Sequence, residues 1–221
     1  MLRNLITMPT IDHFDLKSKK DMHWKRKIWH AVGISIMAAI HMTQSNYTSW
    51  IILAVLAILI IPGDVARQWN EKVNYAAHKI FGPVMRKSES NSISGTTFLI
   101  LGAAILLLFF NPDVINIALF FLALADPIAS YSGIKYGKEP LMNGKTLQGF
   151  IAAFVVCSIV IGFYCYFANI LVERLWIIVP AGGLIGAASE LITIKSLDDN
   201  LSFPVLSAVG ISAMFYIFGA I

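Results

Sequence analysis

The stretch NPDVINIALFFLALADPIASYSG, residues 111–133, decides the fold of this chain. Its length matches the roughly 20 residues that an α-helix needs to cross a bilayer, and residues 114–125 carry no charged side chain. One carboxylate, Asp126, follows this apolar run and precedes Pro127. The stretch therefore predicts a membrane span over 113–133, with an ionisable group that needs a cation, a lysine or water as its partner.

The composition of the whole chain agrees with a membrane setting. Its 221 residues are 57% hydrophobic and 14% charged, and the mean hydropathy is +0.70. A soluble domain carries about 25% charged residues, so a soluble enzyme, a disordered regulator and a disulfide scaffold are excluded. The two cysteines, Cys157 and Cys165, share one apolar run and match no metal or redox spacing.

Similar apolar runs recur along the chain. Stretches of roughly 20 mostly apolar residues predict seven spans, at 28–44, 47–63, 94–111, 113–133, 147–171, 175–194 and 201–221. Apolar residues at helical spacing over 65–81 predict that the second span continues as a cytosolic helix. We therefore expect an all-α polytopic membrane protein, with a basic cytoplasmic or interfacial segment (1–27) and a single transmembrane helical domain (28–221).

The basic residues predict the orientation of these spans. Sixteen of the 17 Lys and Arg residues fall on one side, and only Arg174 falls on the other. Because cytoplasmic loops carry an excess of Lys and Arg, the N-terminus is expected in the cytoplasm and the C-terminus outside. Most acidic residues share the cytoplasmic side, which favours chemistry at that face over a transport path through the membrane.

Three clusters at the cytoplasmic ends of the spans are candidate sites. The first joins Asp126 to the basic, glycine-rich loop at 133–146, where small residues let a ligand approach and lysines supply charge for phosphates. The second is Asp198-Asp199-Asn200, which suits Mg²⁺ or simply caps the last helix. The third is Glu190, a carboxylate within a span, whose structural alternative is to pair with a lysine at the helix end.

The remaining polar residues have structural interpretations. The stretch 86–89 is interpreted as a solvated linker whose Arg86 and Lys87 are equally suited to anionic lipid headgroups. Asp64 and Arg67 are spaced to pair at i,i+3, and His30 is interpreted as a satisfied interfacial histidine.

Carboxylates for a divalent cation, lysines for phosphates and a membrane setting for a lipid together indicate phosphoryl or nucleotidyl transfer to a lipid at the inner face. The chain has no Walker A pattern and no protein-kinase signature. A nucleotide would therefore be bound in another way.

Several short motifs follow one another along the chain. They are Arg26-Lys27-xx-His30, Asp64-xx-Arg67, Arg86-Lys87-x-Glu89 with Gly95-Thr96, Asp126-Pro127-x-Ala129-Ser130-xx-Gly133, Gly137-Lys138, Gly144-Lys145-Thr146-Leu147-Gln148-Gly149, Glu190 and Asp198-Asp199-Asn200-xxx-Pro204. In these motifs the chain resembles the CTP-dependent lipid kinases (dolichol kinase, phytol kinase and CTP-using diacylglycerol kinase), which are related to the CDP-diacylglycerol synthases. The chain departs from the family pattern at Ala125, where glycine is usual, and at Gln148, where glutamate is usual.

The resemblance implies transfer of the CTP γ-phosphate to a lipid alcohol of the diacylglycerol, polyprenol or phytol type, with Mg²⁺ or a similar cation. The implied metal ligands are Asp126, Asp198 and Asp199. The implied nucleotide and phosphate ligands are Arg86, Lys87, Ser130, Gly133, Lys135, Lys138, Lys145, Thr146 and Asn200. The implied catalytic residues are Asp126 and, to orient or deprotonate the acceptor hydroxyl, Glu89 or Glu190.

Two other functions stay open at this stage. One is a CDP-lipid synthase, in which phosphatidate attacks the α-phosphate of CTP. The other is a lipid transporter or a non-catalytic membrane scaffold. The expected partners are CTP, a lipid alcohol and membrane lipids, without nucleic acid, and the oligomeric state is left open. The short connections favour a bacterial inner membrane, with an endoplasmic reticulum or plastid membrane as alternatives.

Overall fold

The computed structural model of the protein describes residues 24–90, 92–192 and 197–221. Over these residues the chain is helical, and its one β-type pairing is an isolated bridge between Pro140 and Thr146. The longer helices are α1 (Trp24–Thr43), α2 (Asn46–Trp69), α3 (Glu71–Phe81), α4 (Gly95–Phe109), α5 (Pro112–Phe120), α6 (Asp126–Tyr136), α7 (Leu147–Phe167), α8 (Leu175–Leu191) and α9 (Asp199–Phe218). Most of the predicted N-terminal segment, 1–23, and Lys195 lie outside the described residues.

Five helical segments among the described residues are long and apolar enough to cross a membrane, as expected of an integral membrane protein. They are Asn46–Trp69, Pro112–Tyr136, Leu147–Phe167, Val172–Leu191 and Asp199–Phe218. Each of the seven predicted spans overlaps a helix, but α1 and α4 fall outside this set of five. The first turn of α1 is basic, and α4 is apolar but has only 15 residues.

The predicted cytosolic extension of α2 is a separate helix. Asn70 adopts an extended conformation between α2 and α3, and its Oδ1 accepts the backbone N–H of Lys72 at 3.0 Å. This bond caps the start of α3, as asparagine commonly does. The helical spacing over 65–81 was therefore predicted correctly, whereas the break at Asn70 was not.

The central stretch 112–136 contains an irregular turn that positions Asp126. Helices α5 and α6 are joined by a π-helical segment, Phe121–Ala125. Pro127 has no N–H to offer the carbonyl one turn earlier, and a widened turn before it accommodates that loss. Asp126 thus lies at the irregular point of an otherwise continuous helix.

The core of the protein surrounds this irregular helix. Ile117, Ala118 and Phe121 are fully buried, and α1, α7 and α9 pack against α5 and the π-helical segment. Large apolar side chains on the outer helix faces are exposed, among them Ile58, Leu59, Phe109, Trp176 and Tyr216. In a membrane these exposed side chains contact lipid, so the core and the lipid-facing surface are both apolar.

Candidate active site

A polar cleft lies where the N-terminal ends of α1, α6 and α9 meet. Its polar lining consists of Arg26, Lys27, His30, Arg86, Asp126, Ser130, Asp198, Asp199 and Asn200. Six of these nine residues, Arg86, Asp126, Ser130, Asp198, Asp199 and Asn200, are sequence-predicted site residues. The three remaining polar residues all belong to the first two turns of α1.

Glu89 is held beside the cleft by Arg26. The Arg26 guanidinium approaches both carboxylate oxygens of Glu89, at 2.7 and 2.8 Å, and also donates to the carbonyl of Val84. Two-point Arg–carboxylate pairing is among the strongest polar contacts in proteins. Both side chains are buried, so the interpretation of this stretch as a solvated linker is wrong for Glu89. It holds for Lys87, which is exposed and does not line the cleft.

The Asp64–Arg67 pair, near the end of α2, supports this arrangement. Arg67 Nε donates to Asp64 Oδ1 at 2.6 Å, which confirms the predicted i,i+3 pairing. Asp64 Oδ2 accepts hydrogen bonds from Ser94 and Thr97 at the start of α4, and Arg67 donates to the backbone carbonyl of Glu89. The pair therefore fixes the end of α2, the start of α4 and the segment that carries Glu89 relative to one another.

Lys145 and Glu190 form an ion pair that joins the loop before α7 to the end of α8. Glu190 is thus paired with Lys145, which is distant in sequence, whereas the lysine expected at the end of its own helix, Lys195, lies outside the described residues. Burial alone would lower the pKa of Lys145, but nearby carboxylates raise the pKa above its usual value. These carboxylates belong to Glu190, Asp199 and Asp126, so Lys145 lies within electrostatic reach of the polar cleft.

Asp198 is the N-cap of α9, which confirms the capping alternative for this cluster. Its Oδ1 accepts the backbone N–H of Asn200 at 3.0 Å and the Asn200 amide at 2.7 Å. The same amide donates to the carbonyl of Gly95 at 3.1 Å and so ties α9 to α4. Burial raises the pKa of Asp198 above that of an ordinary aspartate. Asp198 both caps the helix and presents its carboxyl group to the cleft.

Gly95 permits the close approach of these groups. A Cβ at this position would lie 2.5 Å from Asn200 Nδ2 and 2.6 Å from an Arg26 guanidinium nitrogen. Real Cβ atoms essentially never come so close to another atom. Glycine at this position therefore lets α1, α4 and α9 converge on the cleft.

None of the four predicted phosphate-binding lysines, Lys87, Lys135, Lys138 and Lys145, is among the residues that line the cleft. Lys135 is exposed, donates to the Tyr131 hydroxyl at 2.7 Å and lies over the rings of Tyr131 and Tyr136. Lys138 is also exposed, and its backbone N–H donates to Gln148 Oε1 at 3.0 Å. The amide oxygen of Gln148 thus closes the loop with a bond that a carboxylate oxygen would make equally well.

Thr146 and Gly133 have structural contacts at the junction of α6 and α7. Thr146 caps α7, because its hydroxyl accepts the backbone N–H of Gly149 at 3.2 Å. A Cβ on Gly133 would lie 3.1 Å from the Thr146 hydroxyl and 4.0 Å from the Gly149 Cα. The close packing of α6 on α7 explains these small residues without a ligand.

His30 is the most informative residue that the sequence-based interpretation missed. It was expected to be satisfied, but its buried Nδ1 has no hydrogen-bond partner within the described part of the chain. Arg26 and His30 are four residues apart on α1 and so share one helix face. A polar i,i+4 pair at the start of an apolar helix is the signal that indicates an inward-facing site. Lys27 extends this site, since its Nζ lies 3.5 Å from the carbonyl oxygen of Pro127.

The residues of the cleft suit a Mg²⁺ ion that is shared with substrate phosphates better than one held by protein side chains alone. Within the described ranges, no three His, Cys, Asp or Glu side chains form a cluster that could hold a metal ion by themselves. Mg²⁺ usually keeps several waters and binds one or two carboxylates together with substrate phosphates. Asp126, Asp198 and Asp199 line one cleft beside basic side chains, which suits this shared mode of binding.

Comparisons with known proteins identify relatives of the chain. No family model and no solved structure matches it. It is 32% identical over 170 residues to CTP-dependent diacylglycerol kinase 1 of Schizosaccharomyces pombe, covering 71% of this chain and 78% of the relative. It is 31% identical over 210 residues to the protein of the same name in Saccharomyces cerevisiae, covering 86% and 72%. These relatives are from yeasts and give no support to the predicted bacterial inner membrane.

Proposed function

We propose that this chain, which belongs to the family of CTP-dependent lipid kinases, transfers the γ-phosphate of CTP to the hydroxyl group of diacylglycerol at the polar cleft. Diacylglycerol is the acceptor that the names of both relatives specify. The same names do not favour the alternatives of a CDP-lipid synthase, a transporter or a scaffold.

The observation that carries this proposal is the meeting of three carboxylates and three basic side chains in one cleft. They are Asp126, Asp198, Asp199, Arg26, Lys27 and Arg86. Phosphoryl transfer depends mainly on positioning the reactants and neutralising charge, and the protein need not form a covalent bond. A cleft with both signs of charge, at the end of apolar helices, suits a triphosphate and a lipid that meet there.

In the proposed reaction the lipid hydroxyl oxygen forms a bond to the γ-phosphorus of CTP. The bond from that phosphorus to the β,γ-bridging oxygen breaks, CDP leaves, and the hydroxyl proton passes to a base. Mg²⁺ would neutralise charge on the triphosphate, and Asp126, Asp198 and Asp199 are the residues proposed to hold it.

One group of basic and polar side chains is proposed to bind the triphosphate, and a second group to attract it from outside the cleft. Lys27, Arg86 and Lys145 neutralise the phosphates, and Ser130 and Asn200 contribute neutral polar contacts. The exposed lysines outside the cleft, Lys87, Lys135 and Lys138, are proposed to attract the nucleotide electrostatically. Gly133 and Thr146 act through the packing of α6 on α7.

His30 is the side chain that we propose as the base. Glu89 and Glu190, the two sequence-predicted candidates, are paired with Arg26 and Lys145. Both carboxylates are therefore engaged in ion pairs with basic side chains. The buried Nδ1 of His30 has no hydrogen-bond partner within the described residues, and a neutral imidazole nitrogen can accept a proton. Glu89 and Glu190 then position Arg26 and Lys145.

We also propose that α1 and α4 cross the membrane, which makes seven spans in all. At 1.5 Å per residue, the 15 residues of α4 extend about 22 Å, which a local thinning of the bilayer would accommodate. Exposed aromatic side chains lie at both ends of the helices, as in the aromatic belts of membrane proteins. They are Tyr47, Phe109, Phe167, Trp176 and Tyr216 at one end and Trp24, Trp29, Trp69 and Tyr136 at the other.

The polar cleft is at the basic end of the molecule, which we propose to be cytoplasmic. Lys25, Arg26 and Lys27 begin α1 at this end, and the positive-inside rule places such residues in the cytoplasm. The C-terminus would then be external or lumenal. Because the relatives are from yeasts, an endoplasmic reticulum membrane is the proposed host.

A transfer assay on the purified protein tests the proposed function. The protein in detergent–lipid micelles with Mg²⁺ is given CTP labelled at either the γ- or the α-phosphate, with diacylglycerol, polyprenol, phytol or phosphatidate as acceptor. We expect label to reach diacylglycerol from the γ-position alone. Transfer from the α-position to phosphatidate would instead identify a CDP-lipid synthase, and no transfer from any nucleotide would favour a transporter or scaffold.

Two matched variants test the site. Asp126→Asn removes the charge at the irregular turn, and we expect kcat to fall about a hundredfold, the usual effect of losing one charge-stabilising group. Asp113→Asn makes the same change in the same continuous helical segment, at its opposite end, where Asp113 accepts a hydrogen bond from Tyr164. Equal activity of the two variants would contradict the assignment of the cleft.

A further inference from the structure

An apolar cavity lies between α1, α2, α4 and α5, next to the polar cleft. Its lining is almost entirely apolar and includes Gly33, Met37, Leu53, Leu56, Ala103 and Leu119. We propose that this apolar cavity binds one acyl chain of the lipid substrate while the hydroxyl group of that lipid lies in the polar cleft. The inference rests on the proposed function and extends it to how the lipid is recognised.

The apolar cavity and the polar cleft are lined by neighbouring residues on two helices. On α1, His30 and Ile34 line the cleft, whereas Gly33 and Met37 line the cavity. On the central irregular helix, Leu122 lines the cleft and Leu119, one turn earlier, lines the cavity. A lipid with its hydroxyl group beside Asp126 therefore reaches the cavity with the first carbons of its chain.

Two polar side chains lie at the far end of the cavity. His41 and Ser49 contribute to its lining, and both are buried. His41 Nδ1 lies 2.7 Å from Asn116 Oδ1, whereas the buried Nε2 has no hydrogen-bond partner within the described residues. A chain that extended past this point would have to bury these polar groups against hydrocarbon, which is costly. The polar end therefore limits the length of the chain.

The length of the cavity suits an acyl chain better than a polyprenol. Gly33 and His41, the first and last residues of α1 that line the cavity, are eight residues apart, which corresponds to about 12 Å of helix. This is the length of a medium-length extended acyl chain and far less than that of a polyprenol. The cavity therefore favours an acyl chain of diacylglycerol over a polyprenol chain.

Two glycines offer a matched test of this assignment. A Cβ added to Gly33, which lines the cavity, or to Gly63 on α2, which does not, would meet no described atom within 4 Å. A larger side chain is therefore tolerated at either position without a clash in the fold. At Gly33 it fills space that the acyl chain would occupy, whereas at Gly63 it faces outward.

The first experiment compares Gly33→Leu with Gly63→Leu in the CTP-dependent transfer assay. For Gly33→Leu we expect the KM for dioleoylglycerol and the KM for dioctanoylglycerol both to rise about tenfold, because Gly33 lies at the cleft end of the cavity and contacts the first carbons of either chain, and the KM for CTP to stay unchanged. For Gly63→Leu we expect wild-type values with both lipids. Equal behaviour of the two variants in an active protein would overturn the proposal.

The second experiment does not depend on catalysis. A diacylglycerol with a photoreactive diazirine in one acyl chain is irradiated with the full-length protein in micelles, and the labelled peptides are identified by mass spectrometry. We expect labelling of α1, α2, α4 and α5, reduced by excess unlabelled diacylglycerol and by Gly33→Leu. Labelling that excess diacylglycerol does not reduce would indicate bulk lipid and would overturn the assignment.

The two experiments separate failure of this inference from failure of the proposed function. If wild-type protein transfers no phosphate to any lipid but shows competable labelling of the cavity, the kinase proposal fails and the cavity still binds diacylglycerol. If wild-type protein is an active kinase and labelling lies elsewhere, the kinase proposal stands and the cavity assignment fails.

Discussion

His30 lines the cleft with Asp126 and two basic residues of α1, and its buried Nδ1 has no hydrogen-bond partner in the described ranges. Leaving a buried polar atom without a hydrogen bond costs about 1–3 kcal/mol. A protein retains such a group where it serves binding or catalysis. The hydroxyl group of the lipid substrate would donate the hydrogen bond that Nδ1 lacks. The unsatisfied nitrogen is therefore expected of a side chain that forms its hydrogen bond when the substrate binds.

We expect His30→Gln to lower kcat about a hundredfold, within the usual contribution of a general base, and to leave the KM for CTP nearly unchanged. The wild-type rate should fall at low pH, because a protonated imidazole cannot accept the hydroxyl proton. That fall should be absent from the residual activity of the variant. A steady-state pH profile of both proteins measures this, and an unchanged low-pH limb in the variant would exclude His30 as the base.

The junction of α2, α3 and α4 depends on a buried charge network. Asp64 and Arg67 bond to each other and also to Ser94 and the carbonyl of Glu89, more than twenty residues away in sequence. The spacing of Asp64 and Arg67 predicts their pairing, whereas the remaining partners follow from the packing of α4 against α2. Pairing between residues close in sequence can thus be predicted, whereas partners that are distant in sequence cannot.

We expect Arg67→Ala to destabilise the protein by about 3 kcal/mol, because it leaves the buried carboxylate of Asp64 without its positive partner. Activity should fall as well, since the segment that carries Glu89 loses a support. Thermal unfolding in detergent and the transfer assay measure the two effects. The control is Lys72→Ala, which removes an exposed charge from α3 and should change neither.

At the scale of the whole molecule, each of the seven predicted spans overlaps a helix of the structure. Such apolar runs can be recognised in the sequence because hydrocarbon thickness fixes the length of a span. The π-helical segment before Asp126 was not predicted, since Pro127 signals an irregularity without specifying its form. The carboxylates of the cleft were predicted from their residue types. The roles of Arg26 and His30 were not, because their common orientation depends on the packing of α1 against α5.

The proposed topology of the molecule predicts which residues react from each side of the membrane. Both native cysteines, Cys157 and Cys165, are fully buried, so an impermeant maleimide should not modify the wild-type chain. Lys138 is exposed at the end of the molecule that holds the cleft, and Glu173 is exposed at the opposite end. In sealed vesicles of known orientation, Lys138→Cys should react only from the cytoplasmic side and Glu173→Cys only from the other. Because α7 separates the two positions, reaction of both from one side would rule out its crossing the membrane. Reaction of each from the side opposite to that expected would preserve the span and reverse the orientation, which would place the cleft away from cytosolic CTP.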